Sequence, residues 1–148
     1  MKKVNYSNQG KKNRAAGQRF EAKVRQNLEE MGWIVSKWMN SVDYNKNENI
    51  GKIVPAKRKY NPFLKTMIIG TGFPDFICFK RNSEGNYEVI GLEVKANGYL
   101  DQIEKGMCMW LIENKIFSKI LIAKKGKKRG EIEYIDFLDK YKKDFPSQ

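Results

Sequence analysis

The sequence predicts an α/β domain in which helices flank a mixed β-sheet. Three observations indicate this fold class. A helical apolar pattern comes early in the chain, apolar strand-like segments follow it, and a second helical pattern separates two of those segments, YEVIGLEVK and SKILIAKK. A helix that joins two strands of one sheet is typical of parallel neighbours. The turn RNSEGN before YEVIGLEVK indicates an antiparallel pair, so both kinds of pairing are expected.

The length and charge of the chain limit the classes to which it can belong. Its 148 residues suffice for one domain with its own core, and a hydrophobic fraction of 41% argues against wholesale disorder. It contains 29 Lys and Arg against 17 Asp and Glu, a formal net charge of +12. Such a charge favours a polyanionic partner, with nucleic acid as the first candidate and an anionic membrane surface as the second.

The first elements are a basic arm, a helix and a strand. Residues 1–13 are polar and basic and are predicted to form a flexible arm, and residues 14–148 to form a single domain. Apolar residues recur at helical spacing over residues 14–31, and Gly32 ends that helix. WIVSKW is predicted to be a strand. Residues 40–65 are predicted to be a long polar loop or irregular segment, with six basic and two acidic side chains.

The rest of the chain contains strands around one long helix. TMII and DFICFK are predicted strands separated by a kink at GTGFP, and YEVIGLEVK follows the hairpin turn. Residues 101–114 are predicted to be a helix, because Ile103, Met107 and Leu111 fall on one helical face. SKILIAKK is a predicted buried strand, KKGKKRG a basic turn, EIEYI a last strand and DFLDKYKKDF a short closing helix.

The chain lacks the residues of several common sites. It contains no histidine, which excludes His-based acid–base catalysis, Ser-His-Asp triads and imidazole metal ligands. Cys78 and Cys108 have neither zinc-ligand spacing nor a disulfide framework and are predicted to be packed thiols. There is no signal-peptide pattern and no run approaching about 20 apolar residues. A cytoplasmic protein that does not enter the membrane is therefore expected.

Two strand-like segments contain carboxylates where apolar residues would be expected. Asp75 follows Pro74 at the start of one strand, and Glu93 lies on the next, two residues before Lys95. Side-chain alternation predicts that Glu93 and Lys95 share the open face of the sheet while their apolar neighbours enter the core. Two close carboxylates repel each other unless a cation lies between them, and oxygen ligands select Mg²⁺ or Mn²⁺. A metal, an ammonium group and a basic surface together indicate phosphodiester hydrolysis.

The pair Pro74–Asp75, followed by Glu93–Val94–Lys95, resembles the signature of the PD-(D/E)xK nuclease superfamily. The resemblance implies a restriction-endonuclease-like core, a mixed β-sheet flanked by helices. It implies that Asp75 and Glu93, helped by the backbone carbonyl of Val94, hold Mg²⁺, for which Mn²⁺ substitutes. Lys95 is by the same likeness the catalytic lysine.

Two further residues resemble particular branches of that superfamily. Glu21 lies in the first helix, where archaeal Holliday-junction resolvases have an acidic ligand, which implies an outer or second-metal ligand. Gln102 lies near the start of the helix after EVK and resembles the glutamine of the VRR-NUC branch, which implies a residue that holds the site or the lysine in place. The resemblance covers roughly residues 14–125, and its likeness to resolvases implies a homodimer.

The expected function is that of a Mg²⁺-dependent DNA endonuclease. Its substrate is either branched DNA (a Holliday junction or a flap) or a duplex site, and the choice of DNA over RNA stays open. The alternative is a nucleic-acid-binding module of the same fold without catalysis. Clusters of basic residues are the predicted phosphate contacts; they are Lys11, Lys12, Arg14, Lys57, Arg58, Lys59, Lys127, Lys128 and Arg129.

Overall fold

The computed structural model describes residues 6–45, 50–69 and 72–146. The helices are α1 (Tyr6–Glu30), α2 (Gln102–Glu113) and α3 (Phe137–Tyr141), and a 3₁₀ turn at Lys142–Asp144 continues α3. The strands are β1 (Ile34–Lys37), β2 (Asn40–Asn45), β3 (Ile50–Pro55), β4 (Arg58–Asn61), β5 (Thr66–Ile69), β6 (Phe76–Arg81), β7 (Tyr87–Val94), β8 (Ile120–Lys125) and β9 (Ile132–Asp136).

Five of these strands form one central sheet in the order β1-β6-β7-β8-β9. Neighbours are antiparallel except for β7 and β8, which are parallel and are joined through α2. This long crossover is what a parallel pair requires, because a tight turn reverses the direction of the chain. The predicted mixed α/β fold class is confirmed. The predicted helical crossover between β7 and β8 and the predicted antiparallel hairpin of β6 and β7 are confirmed as well.

The two faces of the central sheet are covered by different helices. On one face α1 packs Phe20, Val24 and Leu28 against the apolar side chains of β6 and β7. On the other face, α2 and the C-terminal segment pack around Phe117 and Phe137. Successive side chains of a strand point to opposite faces of the sheet, and both faces are covered by helices. The central strands therefore have nearly continuous apolar sequences.

Cys78 and Cys108 are free thiols with no exposed surface, so the prediction of packed cysteines is confirmed. Within the described ranges, no helix combines the length and the apolar character needed to cross a bilayer.

Helix α1 begins at Tyr6, eight residues before its predicted start. Residues 6–13 of the predicted flexible arm are therefore helical, and residues 1–5 lie outside the described residues. The early turns contain Ala15, Ala16 and several Lys, Arg and Gln residues, all of which favour helix. Residues 7–19 are mostly exposed and have no apolar period, so periodicity detects the helix only from Phe20 onward.

The predicted loop over residues 40–65 is wrong, because the segment forms two β-hairpins outside the central sheet. Strand β2 pairs with β3, and β4 pairs with β5. The strand predicted at TMII is confirmed as β5, and it pairs with β4 outside the central sheet. Strand β2 buries Val42 in the core next to α2, but the described residues of β3, β4 and β5 are exposed or half-buried. Strands with so little buried surface need not show the apolar alternation that predicts strands.

Gly91 permits a close packing contact in the middle of β7. A methyl group at this position would lie 2.9 Å from Cγ of Pro74 and 3.1 Å from Cδ2 of Phe117. Gly91→Ala is therefore expected to lower the free energy of unfolding by about 1–3 kcal/mol, the usual cost of overpacking. Urea denaturation measures it. Gly10→Ala, where a methyl group meets nothing within 4 Å, is the control and should be neutral or stabilising; equal effects of both changes would contradict the packing account.

Candidate active site

The antiparallel register of β6 and β7 places Asp75 beside Glu93. Phe76 pairs with Leu92, so the next position outward on each strand is Asp75 on one side and Glu93 on the other. The backbone N–H of Val94 donates to Oδ2 of Asp75 at 2.8 Å, and the two carboxyl groups are in hydrogen-bonding contact. The two acids thus converge at the same end of the two strands.

Glu93 is a buried carboxyl group with an unsatisfied oxygen. Its side chain is 5% exposed, and its Oε2 has no hydrogen-bond partner. The prediction that Glu93 lies on an open face of the sheet is wrong, because α2 packs over that face and brings Glu104 and Cys108 near the carboxyl group. Buried polar atoms are almost always paired, so an orphaned carboxylate oxygen is a feature that requires a reason.

Three carboxyl groups at this place have raised pKa values. Burial raises the pKa of Glu93 well above its usual range, and the charge of Asp75 raises it further. Burial also raises the pKa of Asp75, although the N–H of Val94 and hydrogen bonds from Glu93 and Glu21 act in the opposite direction. The pKa of Glu21 is raised by partial burial and then by Asp75. Without a cation, burial and the neighbouring carboxyl groups therefore favour the protonated form of all three groups more than water does.

Glu21 reaches this cluster from α1, on the opposite side of Asp75 from α2. Its Oε2 lies 3.9 Å from Nζ of Lys37, a partly exposed ion pair that opposes the rise in its pKa. Its contact with Asp75 joins the first helix to the two strands at one point. The predicted set of Glu21, Asp75 and Glu93 is thus brought together in one place.

A cleft of about 320 Å³ opens over these groups. This carboxylate cleft is lined from α1 by Arg14, Gln18, Phe20 and Glu21, and from the strands by Asp75, Glu93 and Val94. A groove of about 630 Å³ lies between α2 and the C-terminal segment, and one of about 770 Å³ lies along α3 and the residues after it; among the described residues that line them, neither contains a pair of contacting carboxyl groups like Asp75 and Glu93. The chemistry, rather than the volume, therefore singles out the carboxylate cleft.

The residues of the cleft fit a hard divalent cation. In the described part of the chain no three Asp, Glu, Cys or His side chains already surround one point as a complete metal centre. Asp75 and Glu93 nevertheless lie in contact, and the orphaned Oε2 of Glu93 is a free ligand atom within a buried site. Carboxylate and carbonyl oxygens are the ligands of Mg²⁺, which also keeps several waters, so a partial protein shell suffices.

Lys95 is held by Glu104, a carboxylate that is not among the predicted site residues. Its Nζ lies 2.6 Å from Oε2 of Glu104 on the first turn of α2. Burial alone would lower the pKa of Lys95, but the hydrogen bond and charge of Glu104, with the charges of Glu93 and Asp75, raise it above its usual value. The lysine is therefore a persistent ammonium ion, suited to stabilising negative charge rather than to accepting a proton.

Glu104 is fixed by the capping box of α2, a signal that the sequence contains. The Asp101 side chain accepts from the Glu104 N–H at 2.8 Å, and Oε1 of Glu104 accepts from the Asp101 N–H at 3.1 Å. One oxygen thus caps the helix while the other holds Lys95. Gln102, predicted to hold the site or the lysine, is the exposed first residue of the helix, and the contact with Lys95 comes from Glu104.

Glu104→Gln is expected to slow cleavage by about 10- to 100-fold with little change in stability, because glutamine can retain the capping box but loses the charge. The pKa of Lys95 should fall without that charge, so the alkaline limb of the rate–pH profile should move to lower pH. Rates measured across pH test this. Glu113→Gln, an exposed position at the other end of α2, is the control; an unchanged alkaline limb in Glu104→Gln would contradict the positioning role.

Several predicted phosphate contacts lie next to the carboxylate cleft. Arg14 lines the cleft itself. The turn between β8 and β9 forms a second pocket of about 320 Å³, and Phe20 lines both pockets. This basic pocket is lined by Lys23, Lys125, Lys127, Lys128 and Arg129.

The other predicted phosphate contacts lie at two further places. Lys11 and Lys12 are exposed on the early turns of α1, and Lys57 is exposed between β3 and β4. Arg58 and Lys59 lie in β4, but their side chains fall outside the described residues. Basic side chains therefore lie on both sides of the carboxylate cleft. One group is on the N-terminal half of α1, and the other is in the turn after β8.

Comparison of the chain with models of protein families, with characterised proteins and with solved structures gave no match.

Proposed function

We propose that this protein is a metal-dependent DNA endonuclease of the PD-(D/E)xK type with a restriction-endonuclease-like core. The observation on which the proposal depends is the contact between Asp75 and Glu93 around an orphaned, buried carboxylate oxygen. A structural ion pair would satisfy that oxygen, whereas a cation-binding site leaves it available. The mixed sheet with α1 and α2 on its two faces agrees with the core that the resemblance implies.

In this proposal the strand residues hold the cation and the substrate phosphate. Asp75, Glu93 and the carbonyl of Val94 are the ligands of Mg²⁺, and Glu21 is an outer ligand. When bound, the cation would polarise the phosphoryl group and lower the pKa of a water molecule. The Val94 N–H keeps the Asp75 carboxylate in its orientation. Lys95, kept charged by Glu104, stabilises the negative charge that develops on the phosphoryl oxygens.

The basic residues around the cleft position the nucleic acid. Arg14 on one side and the basic pocket on the other would contact phosphates that flank the bond to be cut. Such contacts fix the register of the substrate without reading its sequence. They also predict that binding weakens steeply with salt, because each neutralised phosphate releases counterions.

A nucleic-acid-binding module without catalysis is the second candidate. The observation in its favour is that no complete set of metal ligands is preformed among the described residues. The raised pKa values of Asp75 and Glu93, caused first by burial, agree with it. Protonated carboxyl groups would tolerate a nearby phosphate without a metal. This candidate predicts binding that is independent of Mg²⁺.

Incubation of the protein with Mg²⁺ and a panel of Holliday junction, flap, duplex and single-stranded DNA, together with matched RNA, separates the two candidates. Cleavage of any DNA member that stops in EDTA and resumes with Mn²⁺ supports the endonuclease. Binding without cleavage by the wild-type protein under all these conditions would leave the binding module as the function.

A further inference from the structure

The β4–β5 hairpin presents apolar side chains to solvent at its tip. Phe63 is 92% exposed and Leu64 67%, and Tyr60 and Met67 on the adjoining strands are 61% and 52% exposed. An aromatic side chain that is almost fully exposed contributes no hydrophobic burial to the stability of the fold. A cluster of such side chains at the end of a projecting hairpin indicates an interaction surface.

The turn that presents Phe63 and Leu64 is fixed by its own hydrogen bonds. Oδ1 of Asn61 accepts from the N–H of Phe63 at 2.9 Å and from that of Leu64 at 3.1 Å. Pro62 has a restricted φ, and Lys65 has a φ of 50°, which closes the turn back onto β5. The two apolar side chains are thus held outward before any partner binds, which lowers the entropy cost of binding.

The charge around the hairpin selects a polyanion as the occupant of this surface. Residues 49–74 contain five Lys and Arg and no Asp or Glu. A second copy of this chain would bring another net charge of +12 to the same place. Aromatic side chains interleaved with basic ones are typical of surfaces on which unpaired bases stack while the backbone phosphates are neutralised.

The base of the hairpin is attached next to the carboxylate cleft. Ala56, just before β4, donates its N–H to the carbonyl of Met39 at 2.9 Å, and Phe73, after β5, donates to the carbonyl of Asn40 at 2.8 Å. The neighbouring Trp38 donates to the carbonyl of Asp75 at 3.1 Å. Both ends of the segment are therefore joined to the same short stretch that contacts Asp75. Five residues separate the end of β5 from Asp75, a reach of at most about 20 Å.

We propose that the β4–β5 hairpin is a wedge that stacks Phe63 and Leu64 on unpaired bases where a duplex opens. This inference rests on the proposed function and narrows its substrate to DNA with a fork, flap or branch near the bond that is cut. Continuous duplex offers the hairpin only paired, stacked bases, and an apolar side chain enters such a stack only at the cost of unstacking it. A branch point supplies the unpaired base without that cost.

The test is a binding measurement in EDTA, so that it does not depend on cleavage. Wild-type protein is titrated into forked DNA with 2-aminopurine at the first unpaired position, and into continuous duplex of the same length and sequence. We expect tighter binding to the fork and quenching of the 2-aminopurine fluorescence. The double variant Phe63→Ala with Leu64→Ala should lose the quenching and bind the fork roughly 10-fold more weakly, with unchanged affinity for duplex.

Tyr87→Ala is the matched control, because Tyr87 is 57% exposed at the far end of β7 from Glu93. It should behave as the wild type does. Equal affinity of the wild type for fork and duplex, or a fork preference that survives in the double variant, would overturn the wedge. Wild-type dimers that the double variant converts to monomers in light scattering would also overturn it, in favour of a second copy. Intact fork recognition without cleavage in Mg²⁺ would support the wedge and reject the endonuclease.

Discussion

Replacement of Asp75 by asparagine is expected to abolish metal-dependent cleavage while the protein stays folded. Asparagine keeps an oxygen that can accept the Val94 N–H, so the end of β7 keeps its hydrogen bond. It removes the charge on which a divalent cation depends. Loss of several kcal/mol of transition-state stabilisation corresponds to a rate lower by about 10³-fold. Single-turnover cleavage in Mg²⁺, with urea denaturation alongside, measures both properties.

Asp139→Asn is the control for this change, because Asp139 is an exposed carboxylate in the first turn of α3, remote in sequence from the cleft. It should cleave at the wild-type rate. An Asp75→Asn protein that cleaves as fast as this control would show that the cleft is not the catalytic site. A variant that fails to fold would instead be replaced by Asp75→Glu, which keeps the charge but moves it, and which should also cleave slowly.

Glu93→Gln is expected to change stability and activity in opposite directions. Its amide imitates the protonated carboxyl group, which donates to Asp75 in the absence of metal. At pH 8 in EDTA the variant should therefore be more stable than the wild type by about 1–3 kcal/mol, the usual cost of a buried group left unsatisfied. Its cleavage rate in Mg²⁺ should fall by about 10³-fold, as for Asp75.

The pH dependence of stability follows from the same raised pKa. Since the folded state of the wild type keeps a proton on Glu93 above the usual value of 4.5, the folded state binds more protons than the unfolded state. The contribution to stability is therefore fully present below pH 4.5 and is lost as pH rises toward the folded pKa. In EDTA the wild type should lose stability over this range more steeply than Glu93→Gln, and Mg²⁺ should restore it.

Urea midpoints at pH 5 and pH 8, with EDTA or with Mg²⁺, test this prediction. Glu88→Gln is the matched control, because Glu88 lies on the same strand and forms a partly exposed ion pair with Lys119 at 3.4 Å. It should change stability by at most about 1 kcal/mol at either pH. A wild type whose stability in EDTA rises from pH 5 to pH 8 as much as that of Glu93→Gln would contradict the assignment of a buried, protonated Glu93.

The convergence of Asp75 and Glu93 could be predicted from sequence because both lie on short apolar strands joined by a turn. A hairpin fixes the register of its strands, and the register brings the two acids to the same end. The burial of Glu93 could not be predicted in the same way. Alternation tells which side chains share a face, but only the packing of α2 decides that the face of Glu93 is closed.

Glu104 and the hairpins illustrate two different reasons for missed predictions. The spacing of Asp101 and Glu104 is a capping-box signal, so the position of Glu104 on the first turn was accessible from sequence. Its contact with Lys95 was not, because it depends on where the end of β7 meets α2. Only β2 of these hairpins buries a residue in the core, Val42, and the described residues of β3, β4 and β5 are exposed or half-buried, which is why the segment resembled a loop.

Anomalous diffraction from crystals soaked in Mn²⁺ tests the central claim most directly, because it locates the cation without any assumption about the substrate. We expect a manganese peak in contact with the carboxylates of Asp75 and Glu93 and the carbonyl of Val94, and its absence in crystals of Asp75→Asn. No bound manganese in the wild-type cleft, or manganese bound only at other surface carboxylates, would contradict the proposed metal site and the cleavage mechanism that depends on it.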